Sequence, residues 1–406
     1  MVFESWQKNL YIILAAEFVA MAAFNFVGPF LPLYVQEMGE FTTKEAAFWT
    51  GLVSSGLGMG MFLSGPLWGI AADRWGRKLM VLRVMFIGSA VLTLQGLVPN
   101  VYWLVALRWG QGLLTGSTAA VSALATSIVP RNKVPLAAGL VMVAVSAGFS
   151  LGPIIGGFLS DWIGYRNVFF VIGAILFSVG LIVFMLVREK FEPPPHREAL
   201  LGSMFRVVLS RDLLPVLILL FALGFGPSMV GPIVPLFIRE LNPAGSAAIA
   251  SGLAFGLMGA VYTLSNLVAS KLGERINIKK IMVFSCIGVG LFHLPPMWAT
   301  TVTQLIIFLV LANLPGGGVS ASSNGLVGLS VPPEQQGVAY GLSNSASSLG
   351  FGLGPLVGGT LASLWGFKPI FGITAGLSIA VGLLAIKLLP GRLFTGTSDQ
   401  SESLSS

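Results

Sequence analysis

Two residues of this chain have types and positions that permit chemistry inside a membrane: Glu17 and Arg108. Each interrupts a long apolar run, Glu17 within residues 10–34 and Arg108 within 102–128. A charge near the bilayer centre costs at least about 2.5–3.5 kcal/mol, so such residues usually face a cavity or a partner. Glu17 stands nine residues after Lys8, about 13 Å along a helix, too deep for an interfacial residue. At helical spacing it shares a stripe with Met21, Phe24, Asn25 and Gly28, and this stripe is expected to line an aqueous cleft. Loss of water favours the protonated carboxyl, whereas a nearby cation favours the ionised form. One carboxyl that holds a proton or a cation, but not both, is a physical route to exchange. Arg108 is charged at every working pH and offers five donors. Three readings of it stand open: it stabilises ionised Glu17, it holds water near that carboxyl, or it braces the backbone carbonyls of the first helix. A direct pair with Glu17 would weaken the proton-carrier role.

Other chemistry finds little support. Gly316-Gly317-Gly318 has neither the lysine nor the strand context of a phosphate loop. The single cysteine, Cys286, permits no intramolecular disulfide and no cysteine metal cluster. No nucleophile–base pair emerges. We therefore expect no enzyme, no cofactor and no metal, with a proton gradient as the energy source.

The elements that must position these residues follow from composition. Of 406 residues, 55% are hydrophobic and 10% charged. A soluble domain carries about 25% charged residues, so lipid must be the main solvent. Twelve apolar segments are expected at 9–36, 46–72, 79–98, 102–128, 134–160, 166–188, 213–239, 246–271, 279–299, 302–330, 335–362 and 368–389. They must be helices, because lipid offers backbone groups no partners. Fifty-one glycines inside apolar segments suit close helix approach. The first span would make too long a signal sequence, and Glu17 interrupts it, so it is expected to be retained. The net charge of +7 lies in short loops and is no nucleic-acid footprint. Arg74, Arg77, Lys78, Arg83, Arg131, Lys133, Lys271, Arg275, Lys279 and Lys280 alternate with uncharged or acidic loops. The positive-inside rule then puts both termini in the cytoplasm of a cell-membrane protein. Residues 1–188 form a first six-helix bundle, 189–212 a proline-rich linker, 213–390 a second bundle and 391–406 a serine-rich tail.

The halves repeat. Gly148-Phe149-Ser150-Leu151-Gly152-Pro153-Ile154-Ile155-Gly156-Gly157 returns 202 residues later as Gly350-Phe351-Gly352-Leu353-Gly354-Pro355-Leu356-Val357-Gly358-Gly359. Val27-Gly28-Pro29 matches Val230-Gly231-Pro232 at an offset of 203. Glu17 aligns with Leu220, so the repeated scaffold does not impose the acid.

At this point the chain resembles the major facilitator superfamily of transporters. Gly69-Ile70-Ala71-Ala72-Asp73-Arg74-Trp75-Gly76-Arg77-Lys78 resembles that superfamily's loop between helices 2 and 3. Arg108-Trp109-Gly110-Gln111-Gly112 resembles its helix-4 motif, and 148–157 its helix-5 motif, which points to the drug:proton antiporter branch. The resemblance covers about residues 8–390. It implies two six-helix bundles that rock about a central site, a small-molecule substrate, protons as coupling ion and the lipid bilayer as surroundings. A monomer is expected. The second half departs from the pattern: 271–276 keeps only Glu274-Arg275 of the loop, and helix 10 has no arginine matching Arg108. Some antiporters of this kind carry a second acid where Asn25 stands here.

The expected gate comprises Gly69, Asp73, Arg74, Gly76, Arg77 and Lys78, as a latch towards helix 11 or as plain topogenic charge, with Gly152, Pro153, Gly156, Gly354, Pro355 and Gly358 as bending points. The expected cleft is soft and apolar: Met21, Phe24, Met142, Phe149, Phe221, Phe225, Met229 and Tyr262, with polar Asn25, Gln111, Asn266, Asn313, Asn324 and Asn344. His293 is expected at an interface. The favoured function is proton-coupled efflux of hydrophobic cations. Alternatives are export of sugars or other polar metabolites, a lipid-handling member, and a non-transporting receptor.

Overall fold

A computed structural model describes residues 5–115, 118–189, 213–331 and 336–388. The linker beyond Glu189 and the tail beyond residue 388 lie outside the described residues. Among the described residues there are sixteen α-helices and no strand. The first half holds α1 (Ser5–Asn25), α2 (Leu31–Met38), α3 (Thr43–Trp75), α4 (Arg77–Leu97), α5 (Val101–Leu114), α6 (Thr118–Ser127), α7 (Val134–Ile163) and α8 (Tyr165–Leu186). The second holds α9 (Leu213–Ser228), α10 (Val234–Leu241), α11 (Ala247–Leu272), α12 (Ile278–His293), α13 (Val302–Asn313), α14 (Gly316–Leu329), α15 (Gln336–Trp365) and α16 (Lys368–Leu388).

These sixteen helices make the twelve expected spans, because the first, fourth, seventh and tenth are each broken in two. The breaks in spans one and seven fall at Gly28-Pro29 and Gly231-Pro232, and that in span ten at Leu314-Pro315. Proline removes an internal hydrogen bond and clashes one turn back. Asn25 and Asn313, each the last helical residue before such a break, donate their amides to Met21 O at 2.8 Å and Leu309 O at 2.9 Å. Two helix pairs turn within one residue, at Gly76 and Gly164, and a third within two, at Gly366-Phe367; the glycine φ values are 94°, 79° and 83°. Side-chain-bearing residues rarely adopt that region.

The halves repeat in packing as in sequence. Tyr34 lies 6.5 Å from Tyr165 and 5.4 Å from Phe169, ring centre to ring centre. Its counterpart Phe237 lies 5.8 Å from Phe367 and 6.1 Å from Phe371. Across the halves, α3 packs on α15 and α7 on α11. The side on which α8 ends and α9 begins is called here the linker side. On the far side the seal is backbone against backbone. A Cβ built on Gly252 would stand 2.6 Å from Pro153 O, and one on Gly51 2.5 Å from Pro355 O. Towards the linker side, Gly65, Gly139 and Gly341 on the same helices have nothing within 4 Å of such a Cβ. The helices have separated there, so the cleft opens to the linker side.

Candidate functional site

The faces of α7 locate the cleft wall. Gly148, Gly152 and Gly156 pack on α1, while Ser150, Ile154 and Gly157 pack on α11. Leu151, Ile155, Phe158 and Trp162 are exposed on the outer face, towards lipid. Met142 and Phe149 are also exposed, Phe149 by 49%, but on the opposite face, which can only be the cleft. The repeat carries this wall across. Asn344 and Phe351 stand 202 residues after Met142 and Phe149, and both are exposed, Phe351 by 55%. On α11, Tyr262 faces away from the outward residues Leu253, Leu257, Leu264 and Val268, with its ring against Gly316 of α14. Asn266 lies one turn beyond it on that face and is half-buried. Phe221 and Phe225 of α9 stack at 5.7 Å and are half-buried.

The motif glycines therefore have two duties. Gly152 and Gly156, like Gly354 and Gly358, fit each interface helix inside its own bundle, against α1 and α9. Pro153 with Gly157, and Pro355 with Gly359, meet the opposite half. The expected bending points are thus divided: Pro153 and Pro355 lie at the interface between the halves, and the four glycines pack within their own bundles.

Glu17 departs from expectation. It points along the stripe predicted for the cleft, yet it is only 1% exposed. Neither carboxylate oxygen has a hydrogen-bond partner among the described residues. Arg108, 4% exposed, does not reach it. A Cβ on Gly88 would lie 3.6 Å from Phe24 Cζ and 3.7 Å from Thr115 Cγ2, which puts those residues at one level. Glu17 is seven residues from Phe24 towards the linker side, and Arg108 seven from Thr115 towards the far side. At 1.5 Å per residue the backbone positions of Glu17 and Arg108 are offset by about 20 Å along their helices. Arg108 instead donates from Nη1 to Gln111 Oε1 at 3.2 Å, and Gln95 Nε2 donates to the same oxygen at 2.9 Å. Tyr34 closes the group by donating to Gln95 O at 3.1 Å. No bond from Arg108 to a carbonyl of α1 is present among the described residues, so it neither pairs with Glu17 nor braces the first helix.

Other expected cleft residues are placed elsewhere. Gln111 is fully buried in that network. Met21 and Met229 are buried against Gly148 and Gly358. Phe24 packs towards Gly88, and Asn25 and Asn313 spend their amides on their own helices. His293 is buried, with Nδ1 2.7 Å from Val289 O, rather than interfacial. The side chains of Asp73 and Asn324, and the surroundings of Gly69, lie outside the described residues.

The loop after α3 also differs from a latch between halves. Arg77 and Lys78 donate their backbone N–H groups to Glu189 at 3.1 and 2.8 Å, which caps α4. Arg77 Nη1 bonds Ala123 O, and Lys78 Nζ bonds Phe184 O at 2.9 Å. Both residues thus bind within the first half, and Arg74 is exposed. The described polar bond between halves is on the far side, where Arg239 Nη1 donates to Gln36 Oε1 at 3.4 Å.

The fold and these motifs have relatives. The family model for the Major Facilitator Superfamily matches residues 13–242 and 216–402. The chain is 32% identical over 378 residues to multidrug resistance protein MdtG of Salmonella arizonae, covering 92% of this chain and 93% of that one. It is equally similar to MdtG of Escherichia coli, with 92% of each chain covered. Among solved structures, a bacterial homolog to the human lysosomal transporter Spinster superposes with a TM-score of 0.81 at 15% identity, over 98% of this chain and 100% of that one. Nucleoside transporter NupG superposes with a TM-score of 0.77 at 16% identity, over 94% and 98%. A chain of twelve helical spans in two repeated bundles around one cleft, matched by this model along nearly its whole length, belongs to the Major Facilitator Superfamily of membrane transporters.

Proposed function

We propose that this protein exports hydrophobic, cationic small molecules in exchange for protons, by alternating access, with both termini in the cytoplasm. The linker side is then the cytoplasmic side, and the described state is open to the compartment from which substrate is loaded. The observation that carries this reading is Glu17: an acid sealed within the first bundle, with no hydrogen-bond partner among the described residues. Such a group holds a proton readily and ionises only when water or a cation reaches it. The wall of Met142, Phe149, Tyr262 and Phe351 supports a varied apolar substrate, because sulfur and aromatic surfaces adapt to many shapes. The multidrug name of the relatives supports efflux. Arg108 serves as a structural charge in the far half of the bundle, remote from the proton site.

The experiment is proton release on binding of a lipophilic cation to the purified protein, with transport driven by a pH step in liposomes. Glu17→Gln is expected to abolish both, while binding measured without a gradient persists. Release and transport that survive this substitution would remove Glu17 from the mechanism. A second reading, export of a polar metabolite, is favoured by Asn344 and Asn266 on the cleft wall. It requires that a neutral sugar displace the lipophilic cation at two pH values.

A further inference from the structure

A pocket of about 550 Å³ opens on the linker side between α11 and α12, away from the cleft wall. Arg275 and Lys280 line its rim, with Asn277 and Ser285. Leu272, Ile276, Ile281 and Phe284 line its apolar side. The arrangement is layered. Lys280 and Phe284 are one turn apart on the same face of α12, so the cation sits above the ring as the helix enters the bilayer. Phe284 is 73% exposed, a large ring with little protein cover at the depth where acyl chains begin.

The neighbouring charges are otherwise engaged. Lys279 Nζ donates to Ile386 O at 2.8 Å, which ties α12 to the end of α16. Asn277 accepts from Lys279 N and caps α12. Glu274 lines a separate hollow with Ser270, Ala321 and Ser322, so no carboxylate lines the pocket itself. The first half has no equivalent. At an offset of 201, Arg275 matches Arg74, but Lys280 matches Leu79 and Phe284 matches Arg83. Arg83 instead lies over the Trp68 ring at 3.4 Å.

We propose that this pocket binds an anionic phospholipid, with the phosphate between Arg275 and Lys280 and an acyl chain along Ile276 and Phe284. Two cations on a rim with an apolar wall directly beneath match a lipid's own layering, and basic pockets at this membrane face take such headgroups. A free anion would use the rim and leave the wall idle.

The test is native mass spectrometry of the full-length protein in detergent, titrated with phosphatidylglycerol and with phosphatidylcholine of the same acyl chains. Phosphatidylglycerol should be retained in preference. The double variant Arg275→Gln with Lys280→Gln should weaken its retention about thirtyfold, the effect of two surface cations, and Arg275→Lys with Lys280→Arg should restore it. Phe284→Ser should weaken lipid retention without changing binding of sn-glycerol 3-phosphate. Equal retention of both lipids by the unaltered protein would overturn the proposal, as would a double variant that keeps its lipid. Displacement of phosphatidylglycerol by glycerol phosphate at equal concentration would reassign the pocket to a soluble anion and overturn it too.

Discussion

The first six spans and the last six have one backbone plan but bury different things. In the first half, Glu17, Gln95, Arg108 and Gln111 are sealed from solvent. Their counterparts at offsets of 201 to 203 are Leu220, Pro296, Val310 and Asn313. Only Asn313 is polar, and its amide serves its own helix. The mechanical contacts, by contrast, are repeated almost residue for residue. Lys78 donates to Phe184 O as Lys279 does to Ile386 O. Pro153 with Gly157 meets Gly252 as Pro355 with Gly359 meets Gly51. Packing is inherited by both halves because each must build the same bundle. Buried charge is costly wherever it sits, and the shared packing does not require it in either half.

The comparison can be broken first at the seal, where the halves are alike. Gly252→Leu and its repeat partner Gly51→Leu each place a side chain where the opposing backbone, Pro153 O or Pro355 O, stands 2.6 or 2.5 Å from Cβ. Both are expected to hold the far side open and reduce transport to background, read by labelling of engineered far-side cysteines and by flux. Gly139→Leu, with no atom within 4 Å, should change neither. If only one of the two sealing variants fails, the seal is not symmetric. The next effect separates the halves. Gln111→Leu removes the oxygen that accepts from Arg108 and Gln95 and should cost about 2–3 kcal/mol of stability. Asn313→Leu, at the equivalent position, should cost less than about 1 kcal/mol. Thermal unfolding of the two variants in one detergent decides it, and equal losses would erase the distinction. The smallest effect lies in the cleft. Phe149→Ala and Phe351→Ala should each weaken ligand binding by about 1 kcal/mol, or roughly fivefold. Equal losses would put the ligand near the axis that relates the halves, and unequal losses would place it nearer one wall.

Much of the fold was legible because each span reads as one apolar run. Gly28-Pro29, Gly231-Pro232 and Pro315 also mark three of the four breaks in plain sequence. Phe351 was legible too, since it repeats Phe149 at the motif's own offset, although Asn344 alone of that pair was expected on the wall. The burial of Glu17 was not legible. Helical spacing gives the direction in which a side chain leaves its axis, but not what lies across from it. The separation of Glu17 from Arg108 depends on the levels at which antiparallel helices pass, which no local pattern encodes. The cap that Glu189 places on α4 joins residues more than a hundred positions apart, and nothing near Arg77 announces it.

The broken spans have a further consequence. Spans one, four, seven and ten are jointed, and the outer pieces of the first and seventh, α2 and α10, touch each other on the far side. Gln36 and Arg239, which join there, are themselves repeat partners, 203 residues apart, so the contact lies on the axis between the halves. Under the alternating access proposed above, opening the far side must break this axial contact, so the two proline joints stand where the halves would part.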